Sequence, residues 1–306
     1  MDRATIGDLE VSIIGIGCNN FGRALDAAGS KLVVDAAFDN GINFFDAASN
    51  YGNGQCESFL GSALTGRRDE AVIATKFGMP RPDEPHGGAA PDYVRSSVLR
   101  SLDDLQTDVI DLLQLHKPDP NTPIADTLGA MWELIDEGLV RQIGCSNLDA
   151  EQTREALAVS DAAGMPRFTS NQIHYSFIHR EPETDGLADL ALAEGVALLP
   201  YYPLGVGLLT GKVKRGETPA GRLKMDRYEH FLVEENFRLA ELLVGFAASR
   251  GLAPVETALA WLLAQPSVPA VTPGARIPEQ VVANAAAASV KLSADDLAEL
   301  DRLAGV

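Results

Sequence analysis

Short apolar runs alternate with longer amphipathic stretches along almost the whole chain. The apolar runs are Ile13–Gly17, Ile42–Phe45, Ala71–Thr75, Val109–Leu115, Val140–Gly144, Phe168–Asn171, Val196–Pro200 and Val268–Val271, each short enough to read as a buried strand. Between them the apolar spacing turns helical near 31–40, 56–64, 91–105, 123–137, 149–163, 184–194, 234–250 with 254–264, and 278–288. Pro91-Asp92 and Pro278-Glu279 carry the proline and acid that suit a first helical turn. Gly138 and Gly164 stop their helices, and Gly195 sits where the sixth helix meets its next strand. Eight strands, each followed by a helix, predict an α/β fold, a closed (β/α)8 TIM barrel, better than an open sheet. A hairpin from Thr5–Gly7 to Leu9–Val11, turning at Asp8, is expected to cap the bottom, and 294–304 reads as an extra C-terminal helix outside. Two connections are long, 77–90 and 203–232. No linker or repeat divides residues 1–306, so a single domain is expected.

In such a barrel the active site lies at the C-terminal ends of the strands, and the residues after each apolar run form one candidate set. They are Cys18-Asn19-Asn20, Asp46 with Tyr51, Lys76, His116, Ser146-Asn147, Gln172, Tyr201 and Pro273–Arg276. Each has a bland explanation alone. A lysine after a strand is usually a rim residue with its head in water, and a lone histidine is more often a satisfied core group. Joint placement on one barrel face favours chemistry instead. A lysine drawn inward needs a partner, and Asp46 is the available one. Its charge beside a tyrosine hydroxyl is expected to lower the phenol pKa toward working pH, making Tyr51 a proton donor while His116 orients a substrate oxygen. Ser146, Asn147 and Gln172 suit a carboxamide, and Tyr201 offers a ring face. The small-residue loop Gly205–Lys212 and the helix start after Pro273–Arg276 suit phosphate. No G-x-G-x-x-G follows a first strand, so a Rossmann domain is not supported.

Bulk properties narrow the partners. The chain has 306 residues, 46% hydrophobic and 22% charged, with a formal net charge of −18 and no Lys/Arg run. That argues against nucleic acid or an anionic membrane surface as the main partner, while leaving room for a phosphorylated small molecule. Cys18, Cys56 and Cys145 show no zinc spacing and read as reduced thiols, which with the lack of a leader or membrane-length apolar stretch predicts a cytoplasmic protein. No metal site is expected: His174 and His179 lie five residues apart, without H-x-H or H-E-x-x-H. A Schiff-base aldolase built on Lys76 is a rival.

The segment Gly41–Gly52, G-I-N-F-F-D-A-A-S-N-Y-G, resembles the first signature of the aldo-keto reductases, and Asp46, Tyr51, Lys76 and His116 fall on all four positions of that family's tetrad. The resemblance continues through 101–116, Gly144–Asn147, Tyr201–Gly205, Leu208–Lys212 and Pro273–Arg276 with Gln280 and Asn284. It leans toward the bacterial and potassium-channel β-subunit branch. It implies reversible reduction of an aldehyde or ketone with NADPH or NADH, by a monomer acting on a small carbonyl substrate. Tyr51 is then the general acid, Lys76 paired with Asp46 lowers its pKa, and His116 orients the carbonyl. Ser146, Asn147, Gln172 and Tyr201 would hold the nicotinamide. Leu204, Gly207, Leu208, Lys212 and Arg222 would line the pyrophosphate, and Gly274, Arg276, Gln280 and Asn284 would meet the adenosine end. The implied cofactor set also takes in Gly17, Asn19, Asp46 and Pro203. Arg276 favours NADPH through a 2′-phosphate. Asn20, Phe21 and Tyr175 are expected to line an open substrate pocket bounded by loops 20–30, 77–90 and 203–232. Departures from the family pattern are Ala283 for glutamate, Tyr202 for serine, and Ala47 and Cys56 for Thr and Ser. Retention of His116 favours carbonyl over carbon–carbon double-bond reduction. A non-catalytic NADPH sensor is the alternative.

Overall fold

The computed structural model describes residues 1–82, 84–216 and 221–305, the side chains at 221 and 222 excepted. The chain opens with an antiparallel hairpin, β1 (Arg3–Ile6) and β2 (Leu9–Ser12), turned at Gly7. Seven parallel strands follow: β3 (Ile16–Gly17), β4 (Phe44–Asp46), β5 (Val72–Phe77), β6 (Ile110–Leu115), β7 (Val140–Ser146), β8 (Ser170–His174) and β9 (Ala197–Tyr201). They pair in chain order. Parallel neighbours need crossovers, which the helices supply outside the sheet. These are α1 (Ala27–Asp39), α2 (Cys56–Ala63), α3 (Pro91–Leu105), α4 (Ile124–Asp136), α5 (Ala150–Ala163), α6 (Glu181–Thr184) and α7 (Leu187–Glu194). After β9 come α8 (Glu234–Ser249), α9 (Pro254–Leu263), α10 (Pro278–Ala286) and α11 (Ala294–Ala304). Among the described residues no single helix is long and apolar enough to cross a membrane.

The expected eighth strand, Val268–Val271, does not form a regular ladder. Its segment nevertheless joins β9 to the start of the sheet. The Leu198 N–H donates to the Ser267 carbonyl (2.8 Å), and those of Gly15 and Gly17 donate to the carbonyls of Val271 and Pro273 (2.8 and 3.2 Å). Ile14 pairs with Val271 in an isolated parallel bridge. Prolines 266, 269 and 273 remove donors along this stretch, so it closes the barrel without a continuous ladder.

Helix ends follow local chemistry. Asp26 starts α1 earlier than the apolar spacing implies, by accepting from the Gly29 N–H at 2.8 Å. Asp149 and Ser293 form capping boxes at α5 and α11. Gly164 and Gly195 take the left-handed cap, as their positions predict. The helix expected near 184–194 starts only at Leu187, after Gly186 (φ 83°), and the short α6 precedes it. Within 203–232 the described residues include 3₁₀ turns at Gly205–Thr210, Gly221–Lys224 and Asp226–Phe231.

Alternation along the strands sorts the barrel interior by height. Phe44, Val72, Ala74, Leu112, Ala197, Leu199 and Ala270 cluster with Ile6, Leu9 and Val11 of the hairpin, which plugs the bottom as expected. Continuing along the same faces come Asp46, Lys76, Gln114, Ser146, Gln172 and Tyr201. The interior is thus apolar below and polar at the C-terminal rim. Opposite faces of the strands, such as Phe45, Ile73, Leu113 and Ile143, pack against the helices.

Close approach of α2 to the end of α3 depends on Gly61: a Cβ there would lie 2.4 Å from the Leu105 carbonyl oxygen. Helix propensity alone favours Gly61→Ala by about 1 kcal/mol. Backbone cannot yield cheaply, so Gly61→Ala is expected to lower stability by about 1–3 kcal/mol in chemical unfolding; a more stable variant would contradict this packing.

Candidate active site

Four side chains named from the strand ends converge at the polar rim. Asp46 ends β4, Lys76 lies near the end of β5, His116 follows β6, and Tyr51 opens a 3₁₀ turn (Tyr51–Gly54) beyond β4. Lys76 Nζ donates to Asp46 Oδ1 at 2.7 Å and to the Ala47 carbonyl at 2.6 Å. It also lies 5.0 Å from the centre of the Tyr51 ring. The His116 ring meets Tyr51 edge-on, with centroids 5.8 Å apart. The His116 N–H is tied to the Phe77 carbonyl at 2.9 Å, so adjacent strands set the spacing of lysine and histidine.

Burial governs the charges here. Lys76 is 0% exposed and Asp46 5%. Desolvation works against the ammonium, but the adjacent Asp46 carboxylate, with Tyr51 beside it, holds Lys76 above the ordinary lysine range. A protonated lysine is no nucleophile, which tells against the Schiff-base reading. Tyr51 departs from the expectation drawn from charge alone. Burial raises its pKa, and the downward pull of Lys76 is the smaller effect. The phenol therefore keeps its proton, as an acid must. His116 is pushed down to about 3 by burial, then by the positive charges of Lys76 and Lys117, so its ring is neutral at physiological pH. Its Nδ1 is buried without a hydrogen-bond partner. Cys18 and Cys56 beside this group are buried thiols pushed up by desolvation.

A second group lies beside the first. Ser146 Oγ donates to the Gln172 carbonyl (2.8 Å), and Asn147 Nδ2 donates to Ser146 Oγ (2.9 Å) and to the His116 carbonyl (3.0 Å). Asn147 holds this pose at φ 61°, a strained setting for a non-glycine residue. The Tyr201 hydroxyl donates to Asn147 Oδ1 at 2.9 Å. Gln172 Nε2 is buried and has no partner. Behind Tyr201 the rings of His174 and His179 stack in turn, with centroids 5.3 and 3.7 Å apart and planes within 12° and 10°. These two histidines form a ring stack. Desolvation and neighbouring imidazoles hold His174 neutral, down to about 3.

Around the rim, Gly17 approaches the Thr272 carbonyl so closely that a Cβ would lie 2.6 Å from it. Asn19 accepts from Arg23, and Asn20 Nδ2 donates to the Ala275 carbonyl at 3.0 Å. Pro203 and Leu208 are buried, with Leu204 between them half-buried. The turn 205–207 has positive φ at all three residues, and Lys212 is exposed beyond it. Gly274 and Arg276 are exposed. The Arg276 N–H is capped by Gln280 Oε1 at 2.8 Å, and Asn284 Nδ2 is buried and unpaired. The Arg222 side chain lies outside the described residues.

Two expected pocket residues are corrected. Phe21 is 0% exposed, its ring in the core and its carbonyl braced against Gly52. Tyr175 is 1% exposed, donating to Glu183 (2.9 Å) with its ring against Trp261, so it belongs to the helical layer. The strand-end reading missed His174, although two residues beyond Gln172 puts it on the same strand face. It also missed Glu57, an acid among the buried Cys56, Leu60 and Ala63 of α2, and its neighbour Arg81.

Breaking one half of the buried ion pair is expected to cost more than removing both. Asp46→Ala leaves Lys76 uncompensated and should lose about 3–5 kcal/mol in denaturant titration. The double variant Asp46→Leu/Lys76→Met should recover most of that loss. Additive losses would contradict the coupling.

The family model for the aldo/keto reductase family matches residues 13–304. Protein tas of Escherichia coli K12 is 33% identical, over 96% of this chain and 94% of its own length. A probable voltage-gated potassium channel subunit beta of Arabidopsis thaliana is 32% identical, over 92% and 89%. L-glyceraldehyde 3-phosphate reductase of Escherichia coli O157:H7 is 30% identical, over 93% and 86%. With a barrel of the expected kind and similarity along nearly its whole length, this chain belongs to the aldo/keto reductase family.

Proposed function

We propose that the chain is an NADPH-dependent reductase that converts an aldehyde or ketone reversibly to the alcohol, with Tyr51 as the general acid. The observation that carries this reading is the half-buried Tyr51 phenol standing against the buried, Asp46-paired Lys76 ammonium and the edge of the His116 ring; burial favours the protonated phenol and the neutral imidazole. A carbonyl oxygen gaining negative charge needs a proton and a nearby positive charge. Tyr51 donates the proton. Lys76, held by Asp46, stabilises the phenolate left behind. His116, uncharged, hydrogen-bonds the same oxygen and orients it.

The dinucleotide reading rests on polar atoms with nothing to bond. Among the described residues, buried Gln172 Nε2 and Asn284 Nδ2 have no partners at either end of the proposed groove, and such groups are costly unless something satisfies them. Gln172, Ser146 and Asn147 would hold the carboxamide, with Tyr201 against the ring face. Pro203, Leu204, Gly207, Leu208, Lys212 and Arg222 would border the pyrophosphate, with Gly17 and Asn19 opposite. Gly274, Arg276, Gln280 and Asn284 would meet the adenosine end, and the exposed Arg276 suits a 2′-phosphate. When bound, the nicotinamide supplies the hydride. A non-catalytic nucleotide-binding subunit is the second reading, favoured by likeness to the channel β-subunit of Arabidopsis thaliana.

One experiment separates these. Wild type and Tyr51→Phe are titrated with NADPH and NADH by fluorescence, then assayed on a panel of aldehydes and ketones. NADPH should bind both proteins similarly and more tightly than NADH does, with turnover lost by at least about 10²–10⁴-fold in Tyr51→Phe. A wild type that binds NADPH without turning over any carbonyl would favour the subunit reading. Equal affinity for the two nucleotides would remove the NADPH preference.

A further inference from the structure

We infer that Arg81 and Glu57 form a positioning pair that fastens the loop between β5 and α3 onto the turn carrying Tyr51. This rests on the reading of Tyr51 as the acid. Both side chains are deeply buried, Glu57 at 1% and Arg81 at 8% exposure, although Arg81 belongs to a long surface connection. Arg81 Nη1 lies 3.3 Å from Asp104 Oδ2 on α3 and 3.9 Å from Glu57 Oε2 on α2. Thr75, the residue before Lys76, donates to Glu57 Oε1 at 2.6 Å, while Glu57 Oε2 is buried with no hydrogen-bond partner among the described residues. The Glu57 carboxyl group is thus held by the strand of the buried lysine and faces the loop arginine, which itself reaches Asp104 of the third helix.

The guanidinium also supports the turn itself. A Cβ on Gly54 would lie 3.0 Å from Arg81 Nη2, and one on Gly52 would lie 2.2 Å from the Phe21 carbonyl oxygen. Residues 52–54 all have positive φ, so the turn after Tyr51 is strained and wedged between the 20–25 segment and Arg81. Strain of this kind persists only where the surroundings hold it. On the loop side, Arg81 and Glu84 exchange backbone hydrogen bonds (3.0 and 3.1 Å), and Glu84 is paired with Arg100 of α3 at 2.5 Å. Taking charges from water is costly, and a loop could be anchored by apolar residues without that cost. A planar five-donor head reaching several partners gives directional control that an apolar anchor lacks.

The carboxyl group makes the fastening sensitive to pH. Groups facing Glu57 are Arg81 from the loop, Asp104 and Ser101 from α3, Thr75 from β5, and Cys56 beside it on α2. Burial outweighs the hydrogen bonds and the Arg81 charge, pushing Glu57 up to about 7. Below that pH the carboxyl is neutral and holds Arg81 weakly. Above it the carboxylate draws the guanidinium in.

The test uses the full-length protein with NADPH and an aldehyde, on Arg81→Met, Arg81→Lys and Glu57→Gln. Circular dichroism establishes folding, and NADPH affinity, kcat, KM and amide hydrogen exchange are read for each. Arg81→Met should lower kcat about 10–100-fold, as small misplacement of a catalytic group does, with NADPH affinity changed less than about twofold. It should also speed exchange in segments 50–55 and 78–88. Arg81→Lys should restore part of kcat, and stands in if Arg81→Met does not fold. Wild-type kcat/KM should carry a component that rises as pH passes through about 7, absent in Glu57→Gln. A folded Arg81→Met with kcat within about twofold of wild type and unchanged exchange would overturn the inference. Should wild type reduce no carbonyl, the functional reading falls, and exchange alone still decides whether the pair fastens the turn.

Discussion

A lysine ammonium with no solvent exposure stands at the C-terminal end of the barrel interior, and the site is arranged around that charge. Leaving it uncompensated would cost several kcal/mol, so Asp46 and the Ala47 carbonyl are fixed within 2.7 Å of it. Both sit at the end of the neighbouring strand, and the strand register in turn fixes Tyr51 and His116. Burial, aided by the same charge, keeps the imidazole neutral, and that charge counteracts the effect of burial on the phenol. Phenol, ammonium and imidazole are therefore gathered around one buried cation and its partner.

The fold supplies the setting by separating apolar from polar height. Hairpin and lower strand faces seal the bottom, leaving the polar layer open only at the rim. Around that rim, strain and close approach recur. Asn147 and Tyr202 take left-handed backbone, as do residues 52–54, and Gly17 leaves no room for a side chain. Tyr202, which stands where serine is common in the family, packs edge-on against His174 and Phe231 and closes the aromatic cluster behind Tyr201.

Much of this was legible in the sequence because strand ends carry chemistry at fixed places. Asp46, Lys76 and His116 follow apolar runs directly, and Tyr51 lies one short turn away. Helix boundaries at Gly164 and Gly195 followed from the backbone freedom of glycine. Three features were hidden for physical reasons. Prolines 266, 269 and 273 interrupt the eighth strand's ladder while leaving its apolar pattern intact. Proximity to a strand end made Tyr175 look like a pocket residue, yet its ring turns outward to Trp261 and Glu183. Charge alone suggested a lowered phenol pKa, because the cost of desolvation depends on enclosure by residues distant in the chain.

The ionisation of Tyr51 can be followed directly. The phenolate absorbance of the dinucleotide-free protein can be titrated with pH, and Tyr51 isolated by difference against Tyr51→Phe. Burial that outweighs Lys76 predicts that the Tyr51 component ionises above the ordinary tyrosine value of 10, leaving a protonated acid throughout the physiological range. A Tyr51 component ionising near pH 7 would contradict it, because the ammonium would then dominate and the resting group would be a phenolate.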